Sequence, residues 1–263
     1  MPTVRTIEDA LFALAPKSLA MEWDNVGLLV GSPDREVSRV LVSLDITEAV
    51  AAEAAALGAE LIVAHHPVMN CTWLPVQTVR EDTPQGHLLI RLLRDGLSAI
   101  CMHTNLDAAA GGVNDALAAA LRLEDPGPLP NGNPICRRGR LPEPVPLPAF
   151  AAQVCALLHA NGVRYADGGR PVSRVAVGGG ACCDYMDEVL AAGCDTFVTA
   201  DAGYHKFLDA GPKGLNLIDA GHFPTEDVVC PVLVRFLQEQ FPGLRVTKSA
   251  SHREVIQYYK RGE

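Results

Sequence analysis

Short, wholly apolar runs alternate along this chain with stretches in which apolar residues recur every three or four positions. Leu61-Ile62-Val63-Ala64 has the length and β-branched content of a buried strand, and Arg39 to Asp45 reads as the strand before it. Between them Thr47 caps an alanine-rich helix, Glu48 to Leu57, and Gly58 stands in the C-cap position. A strand–helix–strand unit implies parallel pairing. Upstream, Thr6 to Ala15 predicts a short amphipathic helix, with Thr6 and Asp9 offering capping-box chemistry. Downstream come a loop from Val68 to Thr83, a helix from Gln85 to Asp95 and a strand from Leu97 to Met102. A turn over Asp107 to Gly112 then leads to a helix from Val113 to Leu121.

Prolines and glycines crowd the stretch from Glu124 to Pro148, with a strand expected near Asn133 to Arg140. This predicts a first lobe over 1–124, a Pro/Gly-rich crossing segment over 125–148 and a second lobe over 149–263. The second lobe repeats the alternation. Helices are expected over Leu147 to Ala160, Asp184 to Ala192, Ala202 to Ala210 and Asp227 to Gln240. Strands are expected over Val172 to Val177, Thr196 to Thr199, Leu215 to Asp219 and Leu244 to Thr247. The pattern predicts an α/β fold of two similar lobes with mostly parallel sheets.

Polar residues gather where three of the apolar runs stop. The run ending at Ala64 is followed by His65-His66-Pro67, and the run ending at Met102 by His103-Thr104-Asn105-Leu106-Asp107. The run ending at Ala220 is followed by Gly221-His222-Phe223-Pro224-Thr225-Glu226. Neutral imidazole is a common metal ligand, and the rim of an α/β sheet is where such folds keep their chemistry. His103 and Asp107, like His222 and Glu226, are four positions apart and share one face of a helical turn. Pro224 suits a first helical turn, where the helix dipole favours a carboxylate at Glu226. Four imidazoles and two carboxylates fit a dinuclear site better than a closed structural one. The predicted ligands are His65, His66, Asp107, His222 and Glu226, with Asp107 or Glu226 as the bridge. His103 is either a further ligand or an acid/base. With ligands drawn from both halves, the metal site is expected in the cleft between the lobes.

These segments, together with Glu22-Trp23-Asp24-Asn25-Val26-Gly27-Leu28, resemble in content and order the signatures of the Nif-three-like dinuclear-metal-centre family, whose members are named GTP cyclohydrolase 1 type 2 homologs. The resemblance runs from the N-terminal helix to the last strand. It implies that the same five residues bind two divalent ions and that the protein forms a toroidal homohexamer with metal sites facing an inner chamber. It also implies a purine nucleotide such as GTP as a small-molecule substrate. Phe223 and Pro224 depart from the family pattern, which more often has a tyrosine and a small residue there. Some relatives carry an inserted central domain, for which this chain is too short.

Donors of nitrogen and oxygen without thiolate suit Zn, Fe, Mn, Ni or Co. Such a pair of ions suits a metal-dependent hydrolase acting through activated water, on a purine ring in GTP cyclohydrolase-type chemistry or on a phosphoester. The other reading is a metal-bearing regulatory or interaction scaffold without turnover. Gly178-Gly179-Gly180, between a strand and a helix, either cradles a phosphate on its amides or is a tight packing loop. Asp201 is a candidate substrate contact, and His205 is either a proton carrier or a polar residue one turn into a helix.

A net charge of −9 and a pI near 5.4 argue against nucleic acid as the main partner. Arg137-Arg138-Gly139-Arg140 reads as a solvated turn or an oligomer contact. The eight cysteines form no CxxC pair and read as small core residues in a reducing compartment. No run approaches a membrane span and no leader pattern opens the chain, so a cytoplasmic protein is expected.

Overall fold

The computed structural model describes residues 1–70, 76 and 78–259. In chain order the elements begin with α1 (Val4–Leu14), β1 (Gly27–Val30), β2 (Arg39–Ser43), α2 (Glu48–Leu57), β3 (Leu61–Ala64), α3 (Pro84–Arg94), β4 (Ser98–Cys101) and α4 (Thr104–Ala108). There follow α5 (Val113–Ala120), β5 (Glu124–Pro128), β6 (Arg137–Val145), α6 (Leu147–Leu157), β7 (Arg164–Ala166), β8 (Val172–Val177) and α7 (Met186–Ala191). The chain ends with β9 (Thr196–Thr199), α8 (Tyr204–Ala210), β10 (Asn216–Asp219), α9 (His222–Glu226), α10 (Cys230–Gln240) and β11 (Arg245–Lys248). Two compact units result: Met1–Ala110 with Cys230–Arg253, and Gly111–Val229 with the tail from Glu254.

The first unit is built on a five-stranded sheet of order β1-β4-β3-β2-β11, parallel throughout except for β1. β3 is buried at every position, as its unbroken apolar run requires of a central strand covered on both faces. One face packs Leu41, Ile62 and Ala99 against Val50 and Ala54 of α2 and Leu89 and Leu92 of α3. Thr47 caps α2 by accepting from the Val50 amide, and Gly58 closes it in the left-handed conformation at φ 63°. In α1 the cap is Thr3, not the expected Thr6: its hydroxyl accepts from the Thr6 amide. The helix thereby gains the turn that carries the buried Val4.

The second unit has a six-stranded sheet of order β5-β6-β8-β9-β10-β7. Only β8, β9 and β10 run parallel, with antiparallel strands on both flanks, so this sheet is mixed where a mostly parallel one is expected. Phe150 and Val154 of α6 pack on Val175, Val177, Val198 and Ile218 of these strands.

The chain passes between units at Gly111, at Cys230 and again at Glu254, rather than through the Pro/Gly-rich segment expected to cross over 125–148. That segment supplies β5 and β6 to the second sheet. β5, holding Pro126 and Pro128, is its edge strand, where a missing amide donor is tolerated. The helix expected over Asp227 to Gln240 is also divided. His222–Glu226 forms a short helix of its own, a 3₁₀ turn spans Asp227–Val229, and α10 begins at Cys230. α10 and β11 then join the first unit, where β11 pairs with β2 in register Val246 to Val40. No helix among the described residues is long and apolar enough to cross a membrane.

The segment after β11 is fastened to α2 by one carboxylate. Glu53 accepts from the Ser249 and Ser251 hydroxyls, at 2.5 and 2.6 Å, and from the Ala250 and Ser251 amides, at 2.9 and 3.1 Å. Partial burial pushes the Glu53 carboxyl up, but these bonds outweigh it and hold the group down to about 2, against an ordinary value of 4.5. A lowered folded-state pKa contributes stability above pH 4.5 that fades as pH falls toward 2. Glu53→Gln is therefore expected to cost about 1 kcal/mol near neutrality after solvent screening. That is a fall of about 2–4 °C in Tm. Wild type and variant should converge in thermal melts taken between pH 4.5 and 2; a gap that stays constant with pH would contradict the assignment.

Candidate metal centre

In the first unit β3 and β4 are parallel neighbours, with Ala64 in register with Cys101. Both strands stop at the same rim. They deliver His65 and His66 beside His103 for that reason, and one ligand atom from each of the three rings lies within 4.8 Å of the others. The rings of His65 and His103 have centroids 5.2 Å apart, and those of His66 and His103 5.6 Å. α4 turns directly after His103 and brings Asp107 back over the cluster, its Oδ1 3.6 Å from His65 Nε2.

Each ring is oriented through Nδ1. His65, wholly buried, donates from Nδ1 to the Met102 carbonyl at 2.8 Å. His66 donates to Asp45 Oδ1 at 2.7 Å, and His103 to Asp24 Oδ1 at 2.8 Å. Asp45 is itself held at its other oxygen by His252 Nε2, at 2.9 Å. The side chain of Asp24 is buried and accepts from the Thr104 amide and hydroxyl. Burial pushes both carboxyls up, but for Asp24 the His103 and Thr104 bonds prevail and hold it at about 2. For Asp45 the two histidines hold it far below the carboxylate range. With Nδ1 committed as donor, the nitrogen each ring presents to a cation is Nε2, an arrangement that metal-binding histidines commonly share.

The second unit repeats this scheme with one histidine. β10 ends at Asp219, and Gly221, at φ 88°, turns the chain into α9. Asp219 secures the turn by accepting from the Gly221 and Ala202 amides, both at 3.0 Å. His222 opens α9 and Glu226 closes it one turn later, with Nε2 and Oε2 3.0 Å apart. His222 Nδ1 donates to Asp201 Oδ2 at 2.7 Å. Burial pulls the His222 pKa down, but hydrogen bonds with Asp201 and Glu226 overcome it and raise it to about 11. Two carboxylates around one imidazole make a place that stabilises positive charge.

The remaining candidates divide. Asp201, a candidate substrate contact, accepts from His222 Nδ1 and orients that ring. His205 lies exposed in the first turn of α8 with its ring edge-on to Tyr204. The three glycine amides are all spent internally. Gly178 donates to the Val198 carbonyl at 3.0 Å, Gly179 to Asn114 Oδ1 at 2.8 Å and Gly180 to Thr225 Oγ1 at 3.0 Å. The loop is not an amide cradle for phosphate. It packs against α9, where a Cβ on Gly180 would lie 2.1 Å from Glu226 Oε1. Asp24, Asp45 and His252 go unpredicted as ring partners. Asp45 follows β2, the strand that neighbours β3 in the sheet, a legible signal; His252 arrives only through the β11–β2 pairing.

The Duf34/NIF3 (NGG1p interacting factor 3) family model matches residues 2–254. A Streptomyces coelicolor protein named GTP cyclohydrolase 1 type 2 homolog is 39% identical over 250 residues, covering 91% of this chain and 87% of its own. A Clostridium perfringens protein of the same name is 32% identical over 238 residues, covering 88% and 87%. Among solved structures, a Bacillus cereus protein related to NIF3 superposes with a TM-score of 0.90 at 25% identity, over 98% of this chain and 99% of that one. Staphylococcus aureus protein SA1388 gives 0.89 at 26% identity, over 98% and 99%. The family match over nearly the whole chain, joined to these full-length relatives, makes this chain a member of the Duf34/NIF3 family.

Proposed function

We propose that His65, His66, Asp107, His222 and Glu226 together hold two divalent cations and that the protein is a metal-dependent hydrolase. The observation that carries this reading is the common state of the imidazoles. His65, His66, His103 and His222 each commit Nδ1 to an oxygen acceptor, three of them to a carboxylate. Structural histidines have no reason to turn the same ring nitrogen to an oxygen acceptor, whereas ligands do. The donor set fits divalent ions of the Zn, Fe, Mn, Ni or Co type, since imidazole nitrogen and carboxylate oxygen are present and thiolate is not. Bound there, two such ions would lower the pKa of a water and neutralise charge developing on the substrate.

The protein's own share is orientation and proton handling. Asp45, Asp24 and Asp201 fix the rings, and Glu226, 4% exposed, offers a carboxylate largely shielded from water. His103, paired with Asp24, is the acid/base that moves a proton at Nε2, or a further ligand through that same atom. The name carried by the relatives points to opening of a purine ring in GTP, and phosphoester cleavage is the other reaction the donor set suits. Homohexameric assembly and a cytoplasmic setting belong to the same proposal.

The test is incubation of metal-loaded protein with GTP, other purine nucleotides and simple phosphoesters, following formate and phosphate release. Turnover of one class is expected, reduced at least about 100-fold in Asp107→Ala. Metal binding without turnover of any substrate, or turnover unchanged in the variant, would favour a metal-bearing scaffold instead.

A further inference from the structure

The Arg137-Arg138-Gly139-Arg140 cluster lies in β6 and is not a turn. Strand alternation divides its arginines between two faces. Arg137 points inward, 5% exposed, and is held by Asp115 at 2.7 Å and by the carbonyls of Pro134 and Ile135. Arg138 and Arg140 share the outer face. Across the antiparallel pair, Arg140 stands directly opposite Arg174 of β8, an arrangement of like charges that disfavours pairing unless something offsets it. Glu124 and Asp125 offset Arg140 alone, at 3.0 and 2.9 Å. Among the described residues no ion pair serves Arg138 or Arg174.

These two guanidiniums converge. Arg138 Nη1 donates to the Ala192 carbonyl at 3.2 Å, and Arg174 Nη1 lies 3.6 Å from where a Cβ on Gly193 would stand. With Arg140, Glu124, Asp125 and Cys194 they line a hollow of about 220 Å³. Burial pushes the Cys194 thiol up to about 11, so the floor is neutral and does not compete for the cations.

We propose that this hollow binds a small phosphate-bearing ligand, its oxygens shared between the forks of Arg138 and Arg174. Guanidinium forks match phosphate geometry and bind it more tightly than point charges do. The size suits one phosphate and a small substituent, and the carboxylates of Glu124 and Asp125 on the rim oppose a polyanion such as a nucleic-acid backbone. The location makes it a second site. Arg174 lies in the first half of β8 and Cys194 precedes β9, toward the amino ends of the parallel strands, whereas His222 and the glycine loop follow the carboxyl ends of strands in that same sheet. A ligand here would act as an effector, not as the substrate.

Calorimetric titration of inorganic phosphate and of glycerol 3-phosphate into metal-loaded protein tests this. Saturable binding is expected in wild type and in Asp107→Ala, weakened at least about tenfold in Arg138→Gln/Arg174→Gln. Arg138→Lys/Arg174→Lys, which keeps charge but loses the fork, should lose less and guards against misfolding of the glutamine variant. Whichever titrant binds more tightly identifies the occupant as a phosphomonoester or free phosphate. No saturable binding in wild type would overturn the proposal. Binding lost in Asp107→Ala but kept in the glutamine variant would do the same, as would a glutamine variant that changes only the sedimentation of the oligomer.

Discussion

Alanine at His65 is expected to lower affinity for divalent metal by at least about two orders of magnitude, roughly 2.8 kcal/mol, and to abolish turnover. The size follows from how completely this side chain is determined. The ring is fully buried, Nδ1 donates to the Met102 carbonyl at 2.8 Å, and Nε2 faces Asp107 Oδ1 at 3.6 Å. No rotamer search or desolvation remains when a cation arrives, so the whole advantage of preorganisation is lost with the ring. Alanine also leaves the Met102 carbonyl short of a donor and a void beneath the rim. Competition with a chromophoric chelator measures affinity, and the metal content found by elemental analysis should fall below that of wild type. Asp45→Asn provides the scale. It keeps an acceptor for His66 Nδ1 but removes the charge, and changes of this kind cost about 10–100-fold. A His65→Ala protein that holds metal within threefold of wild type would remove His65 from the ligand set.

Much of this centre is legible in the sequence because strand ends are. The apolar run of Leu61–Ala64 fixes where β3 stops and hence where His65 and His66 stand, and four-residue spacing places Glu226 one turn below His222. What the chain conceals is pairing between distant strands. Nothing near Arg245–Lys248 announces that β11 joins β2, yet that pairing carries the segment that sets His252 on Asp45 and fastens Ser249 to Glu53. Composition misleads where it is sharpest. Pro126 and Pro128 suggest a linker, but a sheet edge accepts them equally well. The glycine run suggests an anion cradle because local sequence cannot reveal that Asn114 and Thr225 already occupy its amides.

The glycine run has a different task, and Gly180→Ala should expose it. The backbone there is held on every side. The Gly180 amide donates to Thr225 Oγ1 at 3.0 Å, and its carbonyl accepts from the Cys182 and Ala200 amides, both at 2.9 Å, and from Thr199 Oγ1 at 3.1 Å. Its φ of 63° disfavours any side chain, at about 1 kcal/mol. A new Cβ would lie 2.1 Å from Glu226 Oε1 and 3.2 Å from His222 Cε1. The loop cannot retreat, so the carboxylate must, and it is a buried carboxylate in a five-residue helix. Metal affinity is therefore expected to fall about 10–100-fold, as for other displacements around a metal ligand, with a lowered Tm from the backbone strain. Gly169→Ala is the matched control. It is left-handed too, at φ 73°, but its Cβ would meet nothing within 4 Å, so affinity should be unchanged. If Gly180→Ala instead left metal affinity intact and weakened only the binding of phosphate-bearing substrates, the loop would be an anion site after all and its packing against Glu226 incidental.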